Sequence, residues 1–230
     1  MKQEAALARQ RLTTPRAAAV AGVLFSILLI TSLVLIRISI PDDPTDVGAM
    51  LDENWRTLRL ALNLAPFAGI AFLWFIGVVR DRLGVHEDRF FATVFLGSGL
   101  LFLAMMFASA AVAGGTILIY GTVSSLQPVS TDVYILGRVV TYELMNVYAI
   151  KMAGVFMITT CTLAIRTGIF PRWMSLLGYG LALLLILSIG LVSWVSLIFP
   201  LWVLLISIHF LLANLRNPPE QASPQSEGIN

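Results

Sequence analysis

The sequence predicts an all-α fold, a polytopic bundle of about six transmembrane helices that forms one domain over residues 1–216. Three observations carry this expectation. Hydrophobic residues make up 58% of the 230-residue chain and charged residues only 12%, against about 25% charged in a soluble domain. The apolar residues lie in blocks of about 20 or more, long enough to cross roughly 30 Å of hydrocarbon at about 1.5 Å per residue. The basic residues concentrate in the short segments between alternate blocks, as the positive-inside rule requires of a multi-pass protein.

The first span covers residues 17–40 and stops at Pro41. Lys2, Arg9, Arg11 and Arg16 precede it as they would precede a secretory signal. The apolar stretch is too long for a signal core, however, and Ile36-Arg37-Ile38-Ser39-Ile40-Pro41 offers no small-x-small cleavage site. It reads as an uncleaved helix. Pro41-Asp42-Asp43-Pro44 then forms a turn, and Thr45 or Asp46 caps a helix that begins in water, passes Trp55 and enters the membrane as the second span, residues 57–79. Pro66 removes one backbone hydrogen bond from that span and predicts a bend.

A charged loop over residues 80–89 leads to the third span, residues 90–114, whose apolar block runs on to Tyr120. Residues 121–132 read as a polar loop around Pro128. The fourth span, residues 136–165, is overlong and carries Arg138, Glu143 and Lys151. After a basic turn at 166–172, in which Pro171 suits the start of a helix, two more spans fit, residues 173–193 and 197–215. Ser193-Trp194-Val195-Ser196 makes the hairpin between them, with Pro200 tolerated in the first turns of the sixth helix. Residues 217–230, with three prolines, read as a disordered tail.

With the N-terminus inside, ten of the fifteen Lys and Arg fall on the cytoplasmic side. The first outer loop is acidic, with Asp42, Asp43, Asp46, Asp52 and Glu53. The expected location is therefore the cell membrane, multi-pass, with both termini cytoplasmic.

The chemistry that composition excludes is broad. Basic residues dispersed among hydrophobic blocks give no nucleic-acid footprint. Cys161 is the only cysteine, which rules out an intrachain disulfide, a CxxC pair and a cysteine zinc site. His86 and His209 have no HxxxH or HExxH context, so no metal or haem site is indicated and no cofactor is expected. His209 reads as a helix-to-helix hydrogen bonder. Gly97-Ser98-Gly99 lacks an obvious histidine base and reads as small residues for close helix contact. With no nucleophile, base and metal constellation, the sequence leans away from an enzyme.

Five basic residues stand outside the cytoplasmic set: Arg37, Arg56, Arg59, Arg138 and Lys151, all in or near the outer half of the bundle. Ionisable groups at such depth usually face the protein interior or water, because lipid exposure costs several kcal/mol. Arg138, Tyr142 and Asn146 follow at i, i+4, and Glu143 lies three residues before Asn146, so these four cover one broad polar face. Lys151 is eight residues beyond Glu143, about 12 Å along the axis and about 80° around it. It therefore needs a partner other than Glu143.

An internal likeness bears on the same region. Leu96-Gly97-Ser98-Gly99-Leu100 matches Leu177-Gly178-Tyr179-Gly180-Leu181, and Asn63 with Ala68-Gly69 resembles Asn146 with Ala153-Gly154. These matches read either as a parallel duplication of a helical hairpin or as coincidence in apolar sequence. Under the first reading Arg59 and Asn63 approach the chamber from the second helix. The expected ligand-binding set is then Arg59, Asn63, Arg138, Tyr142, Glu143, Asn146 and Lys151, and the alternative is a structural ion-pair network of the same groups.

Ala110 with Gly114 and Ala111 with Gly115 make small-xxx-small pairs, able to bind a neighbouring helix of the same chain or of another copy. Arg166-Thr167-Gly168-Ile169-Phe170-Pro171-Arg172-Trp173, followed by Leu177-Gly178-Tyr179 and Phe199-Pro200-Leu201-Trp202, resembles an uncharacterised family of small multi-spanning bacterial integral membrane proteins. The resemblance covers the last third of the chain, rests on topogenic residues and implies no catalytic residue. Two functions are expected from the whole: binding or transport of an anionic or amphiphilic small molecule in the polar chamber, or a non-catalytic accessory subunit of a membrane complex. The expected partners are the lipid bilayer, an anionic or lipid-like ligand, and further chains through the small-residue faces.

Overall fold

The computed structural model describes residues 15–39, 55–83, 89–123, 131–168, 171–188 and 194–216, and each of these segments is built on helix. In chain order they are α1 (Pro15–Ser39), α2 (Trp55–Leu83), α3 (Arg89–Val123), a composite α4, α5 (Arg172–Leu187) and α6 (Ile198–Arg216). The composite helix runs as α over Thr131–Glu143, widens into a π turn over Leu144–Ala149 and resumes as α over Ile150–Thr167. Five stretches are long and apolar enough to cross a membrane: Ala19–Ser39, Arg56–Arg80, Phe90–Ile119, Asp132–Thr167 and Val195–Leu212. α5 is apolar and shorter, at 16 residues. The chain is thus a multi-pass helical bundle of five to six spans.

Helix boundaries depart from the apolar blocks in both directions: α5, expected over residues 173–193, ends at Leu187 with Ser188 extended at ψ 127°, whereas two other helices run past their blocks. α2 continues through Arg80-Asp81-Arg82, and α3 continues past Gly114-Gly115 to Val123. The hydrophobic block marks where lipid ends, but backbone hydrogen bonding carries a helix on until a residue disfavours it. Pro66 lies inside α2, and the helix runs on through it. The proposed caps Thr45 and Asp46, the loop at Pro128 and the tail beyond residue 216 lie outside the described residues.

The basic turn after α4 has a specific device. Gly168 takes a left-handed φ of 70° and its N–H donates to the Ala164 carbonyl at 2.9 Å, ending the helix. Pro171 then precedes the first residue of α5 with an extended ψ of 143°. Before α6, Val195–Leu197 forms a short 3-10 turn.

Helices adjacent in sequence pack from α1 through α5, and α6 lies mainly against α1 with lighter contacts to α4 and α5, which closes the bundle. Lipid tails are as apolar as leucine, so contact between helices depends on close fit and interhelical hydrogen bonds. Gly22 of α1 supplies such a fit, because a Cβ there would collide with Ser207 of α6 and Phe75 of α2. Gly178 of α5 does the same against Cys161 of α4 and Trp202 of α6. Ser32 donates to the Ala61 carbonyl at 2.8 Å, joining α1 to α2. Thr162 and Tyr179 share a 2.7 Å hydrogen bond between α4 and α5. The Arg166 guanidinium lies 4.5 Å from the centre of the Phe91 ring, tying the end of α4 to the start of α3.

The middle of the bundle is aromatic. Phe25 of α1, Phe72 of α2, Phe102 of α3, Phe156 of α4 and Phe199 of α6 are at most 2% exposed. Ring centroids lie 4.6 Å apart for Phe25–Phe72, 5.2 Å for Phe72–Phe156 and 4.8 Å for Phe102–Phe199. Five helices therefore meet in one cluster of edge-to-face and tilted rings, the arrangement that ring quadrupoles favour.

Candidate functional site

Next to the aromatic cluster, at the end of the bundle where α1 finishes and α2 begins, the helices part around a cavity of about 220 Å³. α1 contributes Leu29, Ser32, Leu33, Ile36 and Arg37, and α2 contributes Leu58, Leu62 and Ala65. α3 contributes its second half from Met106 to Ile117. From α4 come Tyr134, Gly137, Arg138, Thr141, Tyr142 and then Met145 and Asn146 of the π turn. Trp194, Ser196 and Leu197 complete the wall. Phe25 and Phe102 stand one turn from the lining residues Leu29 and Met106, and Phe199 follows Leu197 by two residues, so the aromatic cluster lies close beside the cavity without lining it.

The α4 residues occupy positions 134, 137, 138, 141, 142, 145 and 146, the three-and-four spacing of one helix face. The π turn sits at the end of this stripe. In a π turn amide–carbonyl pairing shifts from four residues to five, and two carbonyls just before this one also accept from side chains. Ser109 of α3 donates to the Thr141 carbonyl at 2.9 Å, and Asn146 Nδ2 donates to the Tyr142 carbonyl at 3.2 Å. Thr116 donates to its own helix at Val112, 2.8 Å away.

Two polar atoms in this wall are buried and lack a hydrogen-bond partner among the described residues: Arg138 Nη1 and Thr141 Oγ1. They lie three residues apart on the same stripe. No Asp or Glu is among the described residues lining the cavity, whereas Arg37 and Arg138 both are. The formal charges on the described lining residues are therefore positive, and most of the remaining wall is aliphatic. Such a space can hold an anion with an apolar body.

The structure divides the residue set drawn from sequence. Arg138, Tyr142 and Asn146 line the cavity together. Glu143 does not; its side chain is exposed on the outside of the bundle. Glu143 is one residue, about 100°, around the helix from Tyr142, so the broad polar face expected of the four is split. Arg59 and Asn63 are also exposed, and their neighbours Leu58 and Leu62 face the cavity instead. Lys151 lies beyond the π turn, half-buried and outside the cavity wall. Sequence reasoning left Arg37 and Thr141 out of the set. Thr141 was legible as the residue three past Arg138 on the same stripe.

Other expectations resolve locally. The Ser98 hydroxyl donates to the Val94 carbonyl at 2.7 Å within α3, a helix back-bond of an ordinary kind. A Cβ at Gly99 would meet Ile76 and Phe156 while one at Gly97 would meet nothing; in the matching motif a Cβ at Gly178 would collide with its neighbours and one at Gly180 would meet nothing. The two motifs thus use opposite glycines. Ala110 and Gly114 are half-buried, and Ala111 and Gly115 are exposed. Among the described residues no three His, Cys, Asp or Glu side chains come together as a metal site would need.

No known family model, curated protein or solved structure matches the chain.

Proposed function

We propose that this protein is a cell-membrane protein, with both termini in the cytoplasm, that binds an anionic amphiphile in the chamber walled by α1 to α4. The observation that carries the reading is Arg138 Nη1, buried without a partner among the described residues, in a wall that holds no described carboxylate. A guanidinium in a poorly hydrated site is costly unless a counter-charge meets it. An oxyanion between Arg138 and Thr141 would satisfy both groups, and the aliphatic wall would take the ligand's apolar part. Arg37 also lines the chamber.

The test is calorimetric titration of decyl phosphate into the purified protein in nanodiscs. A hydrogen bond to a charged group contributes about 1.5–3 kcal/mol, so Arg138→Gln is expected to weaken binding by roughly 10- to 150-fold. Unchanged affinity in a correctly folded Arg138→Gln protein would refute the proposal.

A second reading, an accessory subunit of a membrane complex, is favoured by different residues. Asn63 and Glu143 are exposed on the outside of the bundle, as are Ala111 and Gly115. A neighbouring helix would shield the polar groups from lipid and fit the small ones. Co-purification of a stoichiometric membrane partner, lost on Glu143→Leu, is the outcome this reading expects.

A further inference from the structure

From the way the helices part, we infer that the chamber is loaded sideways from the bilayer, and that its occupant is a membrane lipid with a phosphate or carboxylate head. This rests on the anion-binding reading above and adds the source of the ligand. α1 and the first part of α4 both wall the cavity, yet α1 packs closely only on α2 and α6, and Thr131–Glu143 packs on α3 and its own π turn. The short turn Val195–Leu197 touches both α1 and the π turn. With α1 and the first part of α4 both walling the cavity and neither packed extensively on the other, the route into the chamber is assigned to the seam between them, with that turn at its base.

The residues at the seam suit a lipid. Tyr142 is 39% exposed and Trp194 55% exposed, and both line the cavity as well, so each faces inward and outward at once. Tyrosine and tryptophan favour the headgroup level of a bilayer. Arg37 stands at the end of α1, where a guanidinium reaches the same level. Inside the chamber lie Arg138 and Thr141 for the head; Leu29, Leu33, Met145 and Leu197 offer an apolar path for a chain that continues into the leaflet. The aromatic cluster packs the bundle on the other side. At about 220 Å³, the chamber has space for roughly seven waters, which suits a headgroup and the first part of a chain whose remainder stays in lipid.

The experiment uses wild-type protein in nanodiscs containing trace phosphatidic acid or oleic acid, each with a diazirine in the acyl chain. Adducts are mapped by mass spectrometry after illumination. The expected result is labelling concentrated in residues 29–37, 142–146 and 194–197, reduced at least tenfold by Arg138→Gln and partly restored by Arg138→Lys. Labelling around Trp74 on the far side of α2 should not change. Preference for phosphatidic acid assigns a phosphate head, and preference for oleic acid assigns a carboxylate. Adducts spread evenly over the lipid-facing surface, or insensitive to Arg138→Gln, would overturn the sideways route, as would their displacement by inorganic phosphate. If decyl phosphate still binds through Arg138 in that event, the chamber's anion binding stands and only the lipid source fails. If neither binds, both fail.

Discussion

Phe72→Ala removes the ring at the centre of the aromatic cluster. Phe72 is fully buried and meets Phe25, Phe102, Phe156 and Phe199 at centroid distances of 4.6, 5.4, 5.2 and 5.6 Å. In a water-soluble core such a truncation costs about 3–5 kcal/mol. Part of that cost is transfer from water, and it is absent here because an unfolded span remains in lipid. The cavity remains. At about 24 cal/mol per Å³, a void of roughly 100 Å³ costs about 2.4 kcal/mol, and the lost ring pairings add about 0.5–1.5 kcal/mol. The expected loss is therefore about 3–4 kcal/mol, measured by SDS titration in mixed micelles with the fluorescence of the five tryptophans as readout. Phe72→Leu, which retains much of the volume, should lose less than about 1.5 kcal/mol. Phe72→Ala within about 0.5 kcal/mol of wild type would refute the claim that five helices converge on this ring.

Four further outcomes follow. Ser109→Ala leaves the Thr141 carbonyl without its side-chain donor and should cost about 1 kcal/mol in the same titration, with weakened decyl phosphate binding because the π turn holds Asn146 in the chamber wall. Gly178→Leu should separate α5 from α4 and α6, since even a Cβ there meets Cys161 and Trp202; a loss of at least 1–3 kcal/mol is expected, with a shift in tryptophan emission. Gly168→Ala places a side chain at a φ of 70° and should cost about 1–2 kcal/mol without altering ligand affinity, because the turn is at the opposite end of the bundle. Glu143→Gln should leave decyl phosphate affinity within about twofold of wild type, since the carboxyl group lies outside the cavity; a charge-assisted contact would have contributed about 1.5–3 kcal/mol.

The number and type of helices were legible because a bilayer imposes length and hydropathy on every span. Which face turns inward was not. Lipid and bundle interior are equally apolar, so the periodicity that orients a soluble helix has little contrast here. That is why Glu143 could be grouped with Arg138, Tyr142 and Asn146 although it lies outside the cavity wall. The stripe of α4 itself was partly visible, because Arg138, Tyr142 and Asn146 share an i, i+4 row. The π turn was not, since its register depends on contacts with other helices, such as the Ser109 hydroxyl on the Thr141 carbonyl one turn before it. Arg59 and Asn63 reached the chamber only through the internal likeness, and the structure turns Leu58 and Leu62 inward in their place.

A high-resolution structure in nanodiscs of native lipid tests the central claim most directly. The account predicts an oxyanion within hydrogen-bond distance of Arg138 Nη1 and Thr141 Oγ1, continuous with an elongated apolar chain leaving between α1 and α4. A chamber without an anion, in which Arg138 pairs with a carboxylate of the chain itself, would contradict it.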